Sequence, residues 1–342
     1  MAKTAVAGLD LQLVEMAMAY QRSRTLCAAA RLGVADALGE GERSVQEIAT
    51  ACGADAGALH RLLRALASLG VVTESKPGQF ALTELGAQLR KNAPNSAWHA
   101  VVFWSDLLAD NWSSLTDCVR TGQSAATLRP EITKRWREDE EAPAIFRAVM
   151  GTAPAEAYEP IVRAWDFSHA RVVADLGGGG GALLEAILQT FPTPRGMLVD
   201  REQSIEAAKP RFSSAPLAGR TQLVAADLLH EVPSGADVHI LKHVLHGYDD
   251  ETAAKILNNC REQLAPNGTV LIIEFVLPDA ISRPDPDLEK RLMSDLNMLL
   301  VTGGMERSEF EWRRLLSRSG LRCERVVPIK GDLVSIVEAV SL

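Results

Sequence analysis

Three aspartates in the second half of the sequence each close a short apolar run. Asp175 ends "RVVAD", Asp200 ends "GMLVD" and Asp227 ends "TQLVAAD". After Asp175 and Leu176 come five consecutive glycines, Gly177 to Gly181, and then an apolar, helix-like segment. Strand, glycine loop, helix is an arrangement in which a ligand, or the tight turn itself, needs bare backbone. Gly177, Gly179 and Ala182 satisfy G-x-G-x-x-A, with Asp200 placed to hold a ribose. Asp175, beside the loop, is awkward for a pyrophosphate and suits a cationic amino-acid ligand. Asp227 places another carboxylate where it could meet an adenine edge. Further on, "LKHVLHGYDDE" carries His243 and His246 just after another apolar run. A histidine at such a place can serve as a general base near neutral pH.

These residues need a scaffold that brings strand ends together. From Arg171 onward, "RVVADL", "GMLVD", "TQLVAAD", "DVHILK" and "TVLIIEF" alternate with segments long enough for helices. That rhythm predicts an α/β domain with a parallel sheet and helices on both faces, binding its ligand outside the carboxyl ends of the strands. "LRCERVVPI" and "LVSIVEAV" are separated only by "KGD", so they predict a hairpin and an antiparallel last strand. Dinucleotide domains usually lack that strand. With the aspartates, it favours S-adenosylmethionine, which has a ribose, an adenine and an aminocarboxylate tail but no phosphate.

The first 95 residues read differently. Ser44 and Glu47 form a capping-box signature, and Leu59, Leu62, Leu63, Leu66 and Leu69 recur at helical spacing up to Gly70. "VVTE" and "QFAL" flank "SKPG" as a small hairpin, and Thr83 caps a further helix. Helices followed by a hairpin suggest a winged helix. Its DNA-binding reading lacks a basic footprint, since residues 1–95 carry ten Lys/Arg against nine Asp/Glu. A packing or dimerisation module is the better expectation. The expected layout is a winged-helix-like domain over 1–95, a helical connecting region over 96–165 and a cofactor-binding domain over 166–342.

The 342 residues carry 36 Lys/Arg and 44 Asp/Glu, a formal charge of −8, which argues against nucleic acid or an anionic membrane as partner. Five scattered cysteines without a C-x-x-C pair argue against a disulfide framework or a zinc site. No leader-like or membrane-length apolar run is evident, so a cytoplasmic protein without a metal is expected.

Taken in order, "DLGGGGG", "VD" at Asp200, "ADLL" at Asp227, "LKHVLHGYDDE", "IIEFVLP" and "GGMERSEFEW" resemble the motifs of the small-molecule O-methyltransferases that use S-adenosylmethionine. That family includes plant caffeate-type enzymes and bacterial enzymes acting on phenazines and anthracyclines. The resemblance spans nearly the whole chain. It implies a Rossmann-like domain with a mostly parallel seven-stranded sheet, preceded by a winged-helix dimerisation domain, and a homodimer. By resemblance, Gly177, Asp200, Asp227, Leu228 and Lys242 line the cofactor site, and Tyr248 packs on the adenine. Asp175 and Gly179 join them from the loop reading. His246 matches the general base, and Glu274 and Glu306 match the acids that flank it. The sequence departs from the plant pattern at Gly247 and Tyr248, where Asp and Trp usually stand, and at Gly180, which replaces a Thr or Ser. These departures point to a bacterial-type enzyme.

A phenol has a pKa of about 10, so its proton must be removed for it to accept a methyl group at neutral pH. Glu274, at the end of the fifth strand, is expected to hold one ring nitrogen of His246 while the other faces the acceptor. His239 and His243 are expected to be structural. Phe103, Trp104, Met150, Asp295, Asn297 and Met298 are the candidate residues for a small aromatic substrate. "DAISRPDPDLEK" is expected to be a flexible loop near them. Three alternatives remain: a same-fold enzyme doing hydroxylation or decarboxylation with this cofactor, a ligand-sensing regulator, and a nicotinamide-dependent oxidoreductase.

Overall fold

The computed structural model describes residues 11–151, 154–213 and 217–342, without the side chains of residues 133 and 135–137. The first ten residues, where the expected first domain begins, lie outside the described ones. The chain forms two compact units, Met1–Asp110 with Arg135–Val149, and Asn111–Lys134 with Met150–Leu342. The expected connecting region is therefore divided between them and does not form a body of its own.

In the first unit, the Ser44 side chain accepts the Glu47 N–H, and Glu47 reaches back to the Ser44 N–H, starting helix Val45–Cys52. Such a cap contributes about 1 kcal/mol. Helix Ala56–Ser68 buries Leu59, Leu63 and Leu66, one stripe at helical spacing. Strands Val72–Lys76 and Gln79–Leu82 form the expected antiparallel hairpin. A short strand, Glu42–Ser44, adds to its far side. Thr83 caps helix Glu84–Ala87 as its sequence suggests. Leu11, Leu13, Met16 and Tyr20, on the first two helices, are exposed.

The second unit contains a seven-stranded sheet. Its strands are β1 (Val172–Leu176), β2 (Arg195–Asp200), β3 (Thr221–Ala225), β4 (Val238–Lys242), β5 (Thr269–Glu274), β6 (Leu321–Pro328) and β7 (Ser335–Ser341). Their spatial order is β6-β7-β5-β4-β1-β2-β3. β1 to β5 are mutually parallel, while β7 runs antiparallel between β5 and β6. Alternation along the strands feeds two cores. Val173, Leu198, Ile240 and Ile273 face one, and Ala174, Val199, Leu241 and Ile272 face the other.

Helix α1 (Ala182–Thr190) follows the glycines, α2 (Glu202–Ala208) follows β2, and α3 (Asp250–Gln263) connects β4 to β5. Helices α4 (Pro286–Val301) and α5 (Glu309–Arg318) lie between β5 and β6 in the chain. The stretch expected to be loop over residues 279–290 becomes helical at Pro286. The Asp285 side chain accepts the N–H groups of Asp287 and Leu288, and proline fits the first turn, so α4 starts there. Residues 111–134 pack on α4 through Cys118, Ala125 and Leu300. Among the described residues, no helix is long and apolar enough to cross a membrane.

Candidate active site

The strand ends of β1, β2 and β4 bring the predicted cofactor residues to one edge. Asp200 ends β2, and its Oδ2 accepts the Gly179 N–H at 2.8 Å, tying the glycine loop to the second strand. Gly179 has a φ of +56°, and a Cβ there would meet nothing within 4 Å, so its outer face is open. Gly178 differs: a Cβ would lie 2.5 Å from the Asp175 carboxyl and from Leu198. The five bare positions thus have more than one cause, an open face at Gly179 and the chain's own crowding at Gly178. Asp227 stands two residues beyond the end of β3, where its Oδ1 accepts the Leu229 N–H at 3.0 Å. The buried Leu228 is anchored by its carbonyl, which accepts from Asn259 Nδ2 at 2.9 Å.

Asp175 and Lys242 bring charge into this edge. Asp175 is buried, and its Oδ2 has no hydrogen-bond partner. Burial pushes its carboxyl up to about 7; Asp200 adds to the rise and Lys242 opposes it. Burial likewise lowers Lys242, against the pull of Glu274 and Asp175, and its Nζ lies 5.3 Å above the Tyr158 ring. An orphaned, buried carboxylate oxygen beside an open glycine face fits a ligand that brings a cation. Tyr248 is half-buried against the second core.

His246 lies on a single turn, Leu245–Gly247, just after β4. Its Nδ1 donates to Glu306 Oε1 at 2.8 Å and lies 3.6 Å from Glu274 Oε2. This corrects the expectation for Glu274, because the hydrogen-bonded partner of the ring is Glu306. Glu274 instead seats the turn. Its Oε1 accepts the N–H groups of Val244, Leu245 and His246 at 3.0, 3.0 and 3.3 Å. Its Oε2 accepts from His243 Nδ1 at 3.2 Å. Neither glutamate side chain has exposed surface. Burial favours neutral His246, but the charge of Glu274, the hydrogen bond to Glu306 and the charge of Glu306 outweigh it and hold the imidazole above its ordinary value. An ionised carboxylate can only accept, so the Nδ1 proton is fixed and Nε2 keeps its lone pair.

His243, His246 and Glu274 could each offer one ligand atom within 4.8 Å of the others. His243 Nδ1, His246 Nδ1 and both Glu274 oxygens are already engaged in the hydrogen bonds above. Among the described residues, His243 is one of three non-glycine residues with positive φ, at 52°. His239 is buried within β4, and burial pushes it down to about 4, so it is a neutral core residue.

The substrate candidates divide between the units. Phe103 is buried in the first unit, its ring 5.0 Å from the exposed Trp104 and 6.0 Å from Phe146. Met150 is exposed at the end of helix Ala142–Gly151. Asp295, Asn297 and Met298 lie on α4. Asp295 Oδ1 accepts the Glu306 N–H at 2.8 Å, so it holds an acid's backbone. Asn297 is buried with Oδ1 unpartnered, and Met298 is half-buried. Sequence reasoning missed Ser294, whose hydroxyl donates to Glu306 Oε1 at 2.9 Å, and Arg307 beside that glutamate. A signal for the Arg307 segment was available in Ser308 and Glu311, a capping box that starts α5.

The fold and site define a Rossmann-like α/β domain with two histidines and two buried glutamates gathered at the carboxyl edge of its sheet. The family model described as O-methyltransferase domain matches residues 112–322, and that described as O-methyltransferase dimerisation domain matches residues 14–92. The chain belongs to the O-methyltransferase family. It is 36% identical over 331 residues to a phenazine O-methyltransferase, PhzM, of Lysobacter antibioticus, covering 96% of this chain and 95% of the relative. It is 30% identical to a phenazine-1-carboxylate N-methyltransferase of Pseudomonas aeruginosa, covering 96% of each. It also resembles NcsB1, an O-methyltransferase of neocarzinostatin biosynthesis solved with S-adenosylmethionine and 2-hydroxy-5-methyl naphthoic acid. The TM-score is 0.79 at 32% identity, covering 94% of this chain and 96% of that one.

Proposed function

We propose that this enzyme transfers the methyl group of S-adenosylmethionine to a phenolic hydroxyl of a small aromatic natural product, with His246 as general base. The 2.8 Å His246–Glu306 hydrogen bond carries the reading, because it fixes the tautomer that leaves Nε2 free to take a proton. Asp200 and Asp227 would hold the ribose and adenine of the cofactor, and Asp175 would face its ammonium. Bound there, the cofactor supplies an electrophilic methyl carbon on a sulfonium. The chain aligns the acceptor oxygen for an in-line displacement, and Nε2 removes its proton as the bond to the methyl group forms. Glu306 and Glu274 then stabilise the imidazolium that results.

The first unit supports a homodimer. It carries the family's dimerisation domain, and Leu11, Leu13, Met16 and Tyr20 present an apolar surface. The N-methylating relative favours a second reading, transfer to an aromatic nitrogen.

Calorimetric titration with S-adenosylmethionine on wild type, Asp200→Ala and His246→Ala comes first, followed by an acceptor screen of phenols and aromatic amines. Binding lost only in Asp200→Ala, with phenol methylation lost in both variants, supports the reading. Full methylation of a phenol by His246→Ala overturns the base assignment.

A further inference from the structure

Arg307 has no exposed surface. Its Nε donates to Asp250 Oδ1 at 3.0 Å, Nη1 to the Leu245 carbonyl at 3.1 Å and Nη2 to the Tyr248 carbonyl at 2.9 Å. The guanidinium stands 5.1 Å from the Trp312 ring. Burying an ion pair is a poor route to stability, because desolvation offsets the attraction and an apolar side chain often does as well. What the guanidinium supplies is a rigid fork. Here the fork spans carbonyls on either side of His246.

The residues before Arg307 act on the same turn. The Met305 N–H donates to the His246 carbonyl at 2.9 Å. Gly304 lies so close that a Cβ would stand 2.0 Å from that carbonyl oxygen. Glu306 holds the ring. Residues 304–307 therefore grip His246 by backbone and by imidazole together, and Arg307 closes the grip.

We propose that Arg307 is a positioning residue that keeps His246 within reach of Glu306. The consequence for catalysis rests on the general-base reading above; the consequence for the ring's position does not. The groups facing the imidazole are Glu274 at the end of β5, Glu306 before α5, Ser294 on α4, and Lys242 and His243 on its own segment. If the turn slackens, the ring leaves both carboxylates, and its proton affinity falls back toward that of an ordinary histidine at about 6.5.

The test is a pH titration of nitrogen-15 histidine resonances in full-length protein saturated with S-adenosylhomocysteine, with His246→Gln for assignment. In Arg307→Lys the His246 midpoint should fall and its two tautomers should mix, while the dissociation constant for S-adenosylhomocysteine stays within about twofold. Asp250→Asn leaves Arg307 in place and should move the midpoint the same way by less. It carries the test alone if Arg307→Lys does not fold. A folded variant whose His246 titration matches wild type overturns the proposal. Where a phenolic acceptor has been found, kcat should drop about 10- to 100-fold with the acceptor's KM little changed. Should His246→Ala prove fully active, the base reading fails while the resonance titration still decides the role of Arg307.

Discussion

His246 Nδ1 and Glu306 Oε1 lie 2.8 Å apart although 60 residues separate them in the chain. Because the imidazole is held above its ordinary value, the acidic limb of the kcat/KM profile should lie above about pH 6.5, with activity lost as pH falls through it. Glu306→Gln keeps the size of the side chain and removes the charge. It should move that limb to lower pH and cut kcat about 10- to 100-fold, without weakening cofactor binding. A pH–rate series on both proteins checks this.

Glu274 and Glu306 should separate by stability. Glu274 satisfies three backbone N–H groups of the turn and His243 from a position with no exposure. Glu274→Gln turns an acceptor into a donor in a site built of donors. It should lower stability by roughly 1–3 kcal/mol, seen as a fall in Tm. Glu306→Gln should change Tm less, since its Oε2 has no partner to lose.

The glycine loop offers a steric test. Gly178→Ala would drive a Cβ to within 2.5 Å of the Asp175 carboxyl. It should reduce both thermal stability and cofactor affinity in calorimetry. Gly219→Ala is the control, because a Cβ there meets nothing within 4 Å; its Tm and affinity should stay near wild type.

Asp175 ties stability to pH. Its carboxyl is raised from 3.8 to about 7, so the neutral form is favoured by folding. The contribution is complete below about pH 4 and is lost as pH rises through about 7, on the order of a few kcal/mol. Asp175→Asn should therefore gain stability over wild type progressively from pH 5 to pH 8 in cofactor-free denaturant titrations. It should also weaken cofactor binding. In wild type near pH 7, binding should release protons as the arriving ammonium ionises Asp175, which calorimetry in buffers of different ionisation enthalpy would record.

Much of this architecture is legible because its signals are local. β-Branched runs ending in Asp175 and Asp200, the glycines between strand and helix, and the caps at Ser44 and Thr83 are decided by neighbouring residues, and the structure keeps them. The partnership around His246 depends on approach in space. Spacing alone puts Glu274 at the right edge but cannot tell whether its oxygens face the ring or the three N–H groups of the turn. The register of β5 against β4 decides that. The same holds for Ser294 and Arg307, whose partners lie 12 and 57 to 62 residues away. The loop expectation holds over residues 279–285 and fails over 286–290, because Pro and Asp serve helix starts as readily as turns, and Asp285 with Pro286 is a start.

β7 lies inside the sheet although it comes last in sequence among the sheet's seven strands. During synthesis β5 must wait for residues 335–341 with one edge open, and Glu274 pairs with Ser335, the first residue of that late strand. A nascent chain emerging from the ribosome thus already carries His246 and both glutamates without the strand that backs one of them. Over this interval the unpaired edge of β5 invites either chaperone capture or a wrong strand.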